Sequence, residues 1–313
     1  MGCEVCTAPP KTLNITSGLS NRKEKMKSKN EKIGLVVLAA ILAISAFSVI
    51  PTPVGAQPVE VWNVTWPGFG TAIATTEDSV YLTGVNTNFT DAFLNKYDSD
   101  GNFLWNITWG TVFTAGYATA AAEDCVFLAG ETAPSNVSYS YAFLNKYDSD
   151  GKLLWNVTWG GTAGTYSASA AATSGDRVYV VGRAPGGKAF LNRYNSTDGN
   201  LLWNRNVTCG GTGTSGLATA TSGDIVYLAG QNESSDFDFC NAFLNKYNST
   251  DGSLIWNITW GKTGWVTGRA IATSGVGVVY LAGSKTNERV APIFANESDA
   301  FLVKFSEPTP TPQ

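Results

Sequence analysis

Five near-copies of one segment fill most of this 313-residue chain, and that repetition limits its folds more than any other feature. Each copy carries Ala-Phe-Leu-x-Lys/Arg-Tyr/Phe, at 92–97, 142–147, 189–194, 242–247 and 300–305. Each also carries an Asn-x-Thr segment among tryptophans, with the leading Trp at 62, 105, 155, 203 and 256. The steps between those tryptophans are 43, 50, 48 and 53 residues. A period near 50 that drifts by a few residues marks a supersecondary unit stacked many times with variable loops.

One copy reads as four short strands. Ala72–Thr76 is small and β-branched, Glu77-Asp78-Ser79 turns, and Val80–Thr83 is a strand ending at Gly84. A polar loop runs to Asp91, then Ala92–Tyr97, the turn Asp98-Ser99-Asp100-Gly101, and Phe103–Trp109. Nothing in it has helical periodicity. Trp105, Ile107 and Trp109 share one face of the last strand, with Asn106 and Thr108 on the other. The first strand of every copy lacks bulk: Ala72–Thr75, Ala118–Ala121, Ala168–Ala171, Ala218–Thr221 and Ala270–Thr273. Strands that converge on an axis admit only small side chains, so the expected fold is all-β, a five-bladed β-propeller of four-stranded antiparallel blades. The repeats open with a lone Trp62–Trp66 strand and end at Ala300–Phe305 without one. Pairing the N-terminal strand onto the last blade closes the ring and hides two sheet edges.

The ends of the chain differ from the repeats. Lys23–Lys32 is basic, Ile33–Ile50 is an uncharged apolar run, and Pro51-Thr52-Pro53-Val54-Gly55-Ala56 follows. This pattern predicts a signal peptide cleaved after Ala56 or an uncleaved membrane anchor over 26–56. In either case the retained lysines place 57–305 on the far side of the membrane. Residues 1–25, ahead of Met26, are expected to be a start-site artefact or a disordered tail. Residues 306–313, Ser-Glu-Pro-Thr-Pro-Thr-Pro-Gln, read as an extended tail leading toward a C-terminal anchor beyond the sequence. Seven Lys/Arg against three Asp/Glu make residues 1–56 basic, whereas the remainder holds 14 against 22. An acidic repeat region with no basic stripe excludes nucleic acid as partner. Membrane contact is then expected only through the N-terminal segment or that further anchor.

The segments Ala-Phe-Leu-Asn-Lys-Tyr-Asp-Ser-Asp-Gly and Val-Tyr-Leu-Ala-Gly resemble a β-propeller repeat family first described from seven-bladed examples in secreted and surface proteins of prokaryotes. The resemblance covers about residues 57–305 and implies a propeller; it brings no catalytic motif, and this chain has five copies instead of seven.

The chemistry-bearing motifs mostly have structural readings. Asp98–Gly101 and Asp148–Gly151 begin like calcium loops but lack the further ligands, so hairpin turns and no metal site are expected. Lys96, Lys146, Arg193, Lys246 and Lys304 recur once per repeat, which suits a structural role. The chain has no His, which excludes imidazole-based triads and metal sites. No catalytic residue and no cofactor is expected. Cys209 and Cys240 fall on one face of the expected fold as a possible disulfide. Asn-x-Ser/Thr occurs at Asn63, Asn88, Asn106, Asn136, Asn156, Asn195, Asn206, Asn232, Asn248, Asn257 and Asn296, all glycosylation candidates in an exported chain. The irregular loops and crossings gather Phe113, Tyr117, Tyr139, Tyr141, Tyr166, Asp236, Phe237, Asp238, Trp265 and Arg289, which makes them the candidate partner-binding residues. The reading expected from sequence is therefore an extracellular, glycosylated, non-catalytic surface module that binds an unknown surface protein or glycan. A five-bladed lectin and a carbohydrate-active enzyme are the alternatives.

Overall fold

The computed structural model describes residues 60–306 apart from 111, 136, 163, 208–212, 235–238, 262–263, 275–276 and 287–297. Val61–Gln313 form one compact unit. Every regular element in the described residues is a strand. The first repeat comprises β1 (Phe69–Thr75), β2 (Ser79–Val85), β3 (Ala92–Asp98) and β4 (Phe103–Trp109). The second has β5 (Thr114–Ala122), β6 (Cys125–Thr132), β7 (Tyr141–Asp148) and β8 (Leu153–Gly160). The third has β9 (Ser167–Ser174), β10 (Arg177–Ala184), β11 (Lys188–Asn195) and β12 (Leu201–Val207). The fourth has β13 (Gly213–Ser222), β14 (Ile225–Glu233), β15 (Cys240–Asn248) and β16 (Leu254–Trp260). The fifth has β17 (Trp265–Thr273), β18 (Val278–Thr286) and β19 (Ser298–Ser306).

Within each repeat the strands pair antiparallel in sequence order. The fourth and fifth repeats join into one sheet only through a parallel pair, Cys240 with Trp265. That link repeats the isolated parallel bridge from Ser140 to Thr165 between the second and third repeats. Successive repeats pack through their first strands, β1 on β5, β5 on β9, β9 on β13 and β13 on β17. The chain is all-β with antiparallel four-stranded sheets, the arrangement of β-propeller repeats.

The repeated residues are accounted for by packing between neighbouring sheets. In the Phe-Leu-Asn-x-Tyr strand, the buried Asn amide donates to the Tyr hydroxyl two residues on: Asn95 to Tyr97, Asn145 to Tyr147, Asn192 to Tyr194 and Asn245 to Tyr247, at 2.9–3.1 Å. The Trp indole of one repeat donates to a turn carbonyl of the next: Trp105 to Ser149 at 3.0 Å, Trp155 to Ser196 at 3.0 Å and Trp203 to Ser249 at 3.3 Å. The repeated cation reaches the same carbonyl, Lys96 to Ser149, Lys146 to Ser196 and Arg193 to Ser249, each at 2.9 Å. These cations staple sheets together. The Asp98 turn is a hairpin turn as expected, its carboxylate accepting the N–H groups of Asp100 and Asn102 and held below the usual range mainly by the Asn102 side chain.

Two expectations change. Residues 60–66 form no strand, and among the described residues nothing pairs with the outer edge of β19, where Leu302 is 71% exposed. Trp62 nevertheless donates to the Ser99 carbonyl at 3.1 Å, the same staple that Trp105 makes one repeat later. The inner strand of the third repeat is also shifted. By register its counterpart of Ala118–Ala121 is Ala170–Thr173, not Ala168–Ala171, because Ala170 faces Val181 as Ala118 faces Ala129. The apolar segment 33–50 lies outside the described residues, among which no helix is long and apolar enough to cross a membrane.

Candidate functional site: the mouth of the inner strands

The inner strands share one irregularity. Their ladders with the second strands slip between Gly70 and Ala72, Gly116 and Ala118, Gly216 and Ala218, and Gly268 and Ala270. In the third repeat the inner strand slips between Ala168 and Ala170, opposite the consecutive Gly182 and Val181. Each slip is a bulge that leaves one residue unpaired: Thr71, Tyr117, Ser169, Leu217 and Arg269. A bulge bends the strand and re-aims the extra side chain. All five extra residues line one cavity of about 540 Å³, together with Glu131, Ser167, Arg183 and Ser215. The frame repeats while the residue it presents does not.

The neighbouring strand explains why the bulge is possible. A methyl group on Gly84, Gly130, Gly182, Gly230 or Gly283 would collide with the carbonyl oxygen of Phe69, Ala115, Ser167, Ser215 or Thr267, the residue two before the extruded one. The glycine that ends each Val-Tyr-Leu-Ala-Gly segment is therefore the seat of the bulge.

The mouth is lined mainly by polar side chains, among them two guanidinium groups, Arg183 of the third repeat and Arg269 of the fifth, and one carboxylate, Glu131 of the second. Arg183 has no hydrogen bond or ion pair among the described residues, whose salt bridges all involve Arg177. Among the described residues Arg269 reaches only the Ser284 hydroxyl, at 3.5 Å. Burial raises the Tyr117 phenol above its ordinary value and the Glu131 charge adds to that, so Tyr117 stays protonated and can donate.

Tyr117 and Glu131 also belong to a second cavity on the same face, about 440 Å³, lined by Phe89, Phe113, Val137 and Tyr139. Phe89 and Phe113 are the two non-glycine residues with positive φ among those described, at 58° and 46°. Both are exposed, at 51% and 64%. Holding a bulky residue there costs about 1–3 kcal/mol, and such strain clusters at functional sites. Hydrogen bonds hold each one in place. Asn86 caps the first loop by accepting from Thr90 N–H at 2.9 Å and Phe89 N–H at 3.0 Å. The Phe113 carbonyl accepts from Ala133 N–H at 3.1 Å, and Thr114 N–H donates to Thr90 at 3.1 Å. Phe69 stacks on Phe89 with ring centroids 5.0 Å apart.

Of the residues singled out by sequence, Phe113, Tyr117 and Tyr139 come together here, and Tyr141 meets Tyr139 edge-on at 5.8 Å. Tyr166 packs on the core at a crossing, with its N–H bonded to Ser140, and Trp265 lies in β17; neither lines the two cavities. Asp236, Phe237, Asp238 and Arg289 lie outside the described residues. Sequence reasoning missed Phe89, Glu131, Arg183 and Arg269; the signal available for Arg269 was a charged residue at a position where the other copies hold Thr, Tyr, Ser or Leu.

The remaining candidates fall elsewhere. Cys240 is a buried thiol that is free among the described residues; Cys209, its candidate partner, lies outside them. Asn232 is only 5% exposed, and its side-chain oxygen accepts from the Thr214 hydroxyl at 2.9 Å. Asn195 and Asn248 cap turns by accepting from Thr197 and Thr250 N–H. Asn106 donates to the buried Asn95 at 2.7 Å. Asn63, Asn88, Asn156, Asn206 and Asn257 are exposed, while Asn136 and Asn296 lie outside the described residues.

A family model described as outer membrane protein assembly factor BamB matches residues 90–291. The chain belongs to that family. The BamB assignment agrees with the expected β-propeller-type repeat and overturns the expectation of an extracellular, glycosylated surface module, together with its lectin and carbohydrate-active alternatives: the family points instead to an assembly-factor propeller. None of the curated proteins matches the chain. Among solved structures it is similar in fold to quinohemoprotein alcohol dehydrogenases of Pseudomonas putida HK5 (12% identity, TM-score 0.45, 68% of this chain and 43% of that one) and Comamonas testosteroni (11%, 0.47, 70% and 42%). Hsv2p of Kluyveromyces lactis is similar at 11% identity and TM-score 0.42, over 71% of this chain and 68% of its own. The chain thus spans less than half of the two dehydrogenases.

Proposed function

We propose that this BamB-family chain is an envelope assembly factor that acts by docking a segment of a membrane-protein partner, without turning over a substrate. The observation that carries the reading is the strained pair Phe89 and Phe113, both exposed over the groove and both tied down by backbone hydrogen bonds. An exposed aromatic costs little to leave in an ordinary conformation, so holding two in a disfavoured one fits a preformed contact surface. The family supplies the class of partner. The acidic repeat region beyond a basic, apolar N-terminal stretch fits work on the far side of the membrane.

The docking face rests on a five-bladed ring in this proposal, closed when residues 62–66 complete the fifth repeat beside β19. Two features support closure. Trp62 already makes the staple typical of an outer-strand Trp. The inner strands of all five repeats also line one mouth.

Photo-crosslinking tests the docking role. A benzoylphenylalanine placed at position 113 or 139, in cell envelopes of the native host, is expected to capture a membrane protein. The same probe at Leu201, on an exposed outer strand, is expected to capture none. Equal labelling from all three positions would overturn the reading.

A further inference from the structure

Two cavities meeting at Tyr117 and Glu131 differ in chemistry: one is walled by aromatic rings, the other holds two guanidinium groups. A ligand that fills both must be apolar at one end and anionic at the other. We propose that the mouth is a carboxylate-binding subsite for an extended peptide whose aromatic or aliphatic side chain lies in the groove, with Arg183 and Arg269 receiving the carboxylate. The proposal rests on the docking reading above and names the chemistry of the docked segment.

Charge distribution favours an anion at this point. The chain carries a formal net charge of −4, yet the mouth gathers two arginines against a single glutamate. Several cations of the repeats are consumed by structure, as Lys96, Lys146 and Arg193 show. Arg205 likewise spends its guanidinium on the backbone carbonyls of Gly252 and Asp251. Arg183 has no such task, and Arg269 has one long contact at 3.5 Å. Arginine presents paired N–H groups that match a carboxylate in two parallel bonds, which gives orientation as well as attraction. Ser169 on β9 and Ser215 on β13 add hydroxyls to the lining, and the protonated Tyr117 phenol stands where groove and mouth join. The bulge supports the assignment independently. It places Arg269 at the one position per inner strand whose side chain is released from the ladder, so the guanidinium is held out by backbone register.

The carboxylate could be the C-terminus of the peptide or an Asp or Glu side chain; both present the same oxyanion. Titration calorimetry on residues 57–313 distinguishes them with three ten-residue peptides rich in Phe and Leu. One has a free C-terminus, one is amidated, and one is amidated with an internal Glu. The free-acid peptide is expected to bind at least 10-fold more tightly than its plain amide, and to weaken as salt rises. The double variant Arg183→Gln, Arg269→Gln is expected to lose that advantage while keeping the wild-type melting temperature, since both side chains are exposed. Binding of the Glu-containing amide, lost in the same variant, supports the subsite with a side-chain carboxylate as its source. Equal affinity for acid and amide, or a double variant that binds all peptides as the wild type does, would overturn the subsite. Absence of binding by every peptide would overturn it too. In these cases the docking role still stands or falls on the crosslinks from positions 113 and 139.

Discussion

Cys125 and Cys240 sit in the repeats as buried thiols, and burial pushes each up to about 11 from an ordinary 9.0. Lys146 acts against the shift at Cys125, whereas the Glu233 charge adds to it at Cys240. In the unfolded chain these thiols ionise near the ordinary value, so the unfolded state is favoured as pH rises past it. The stability they confer is complete below about pH 9 and is lost as pH climbs through the folded value. The urea midpoint is therefore expected to hold steady from pH 7 to 8.5 and to fall above pH 9. Iodoacetamide at pH 8 should modify neither cysteine in the folded protein and both in urea, as read by mass spectrometry. Replacing the two by Ala or Val should flatten the alkaline fall. Cys125 begins β6. Cys240 begins β15, whose N-terminal end is covered by the bridge to Trp265.

At the scale of the strand, the five glycines behind the bulges are the most constrained positions in the fold. Gly230→Ala would drive a methyl group into the Ser215 carbonyl and toward the Phe243 ring, both fixed by the sheet. The expected loss is about 3 kcal/mol, the upper range for forcing atoms into packed structure, measurable as a lower urea midpoint with unchanged slope. Gly223→Ala is the control: a Cβ there meets nothing within 4 Å, and only its φ of +56° resists the change. The strands, turns and period were legible because each rests on local pattern: alternating Trp105 and Ile107, Asx-rich turns and the recurrent Phe-Leu-Asn. The bulges were not legible, because a bulge is a relation between two strands. In the third copy Ala168 stands where the others have Gly, and without the partner register the small-residue run Ala168–Thr173 aligns equally well two residues early. The mouth was invisible for the same reason, since Arg183 and Arg269 are 86 residues apart and only strand order brings them together.

For the whole molecule, the staples run in one direction: the second, third and fourth repeats are each pinned by a Trp and a cation belonging to the repeat before. The first repeat has such a predecessor only in Trp62, and the fifth repeat has an unpaired β19 edge among the described residues. If residues 62–66 close the ring, deleting 57–66 should lower the melting temperature of the entire domain by about 10 °C or more in one cooperative transition, because two interfaces open at once. Calorimetry that finds the domain unchanged, or only a small early transition, would show that the repeats stand as an open row. Heavy loss with a second, resolved transition would likewise count against a ring.

The bulges separate what can drift from what cannot. A backbone slip seated on glycine fixes where each of five side chains emerges and asks nothing of what that side chain is: Thr, Tyr, Ser, Leu and Arg are all accepted at positions 71, 117, 169, 217 and 269. Five copies of one backbone device thus present five different side chains. On such a frame a point substitution at any of the five positions changes the chemistry of the mouth and leaves the strand ladder beneath it as it was.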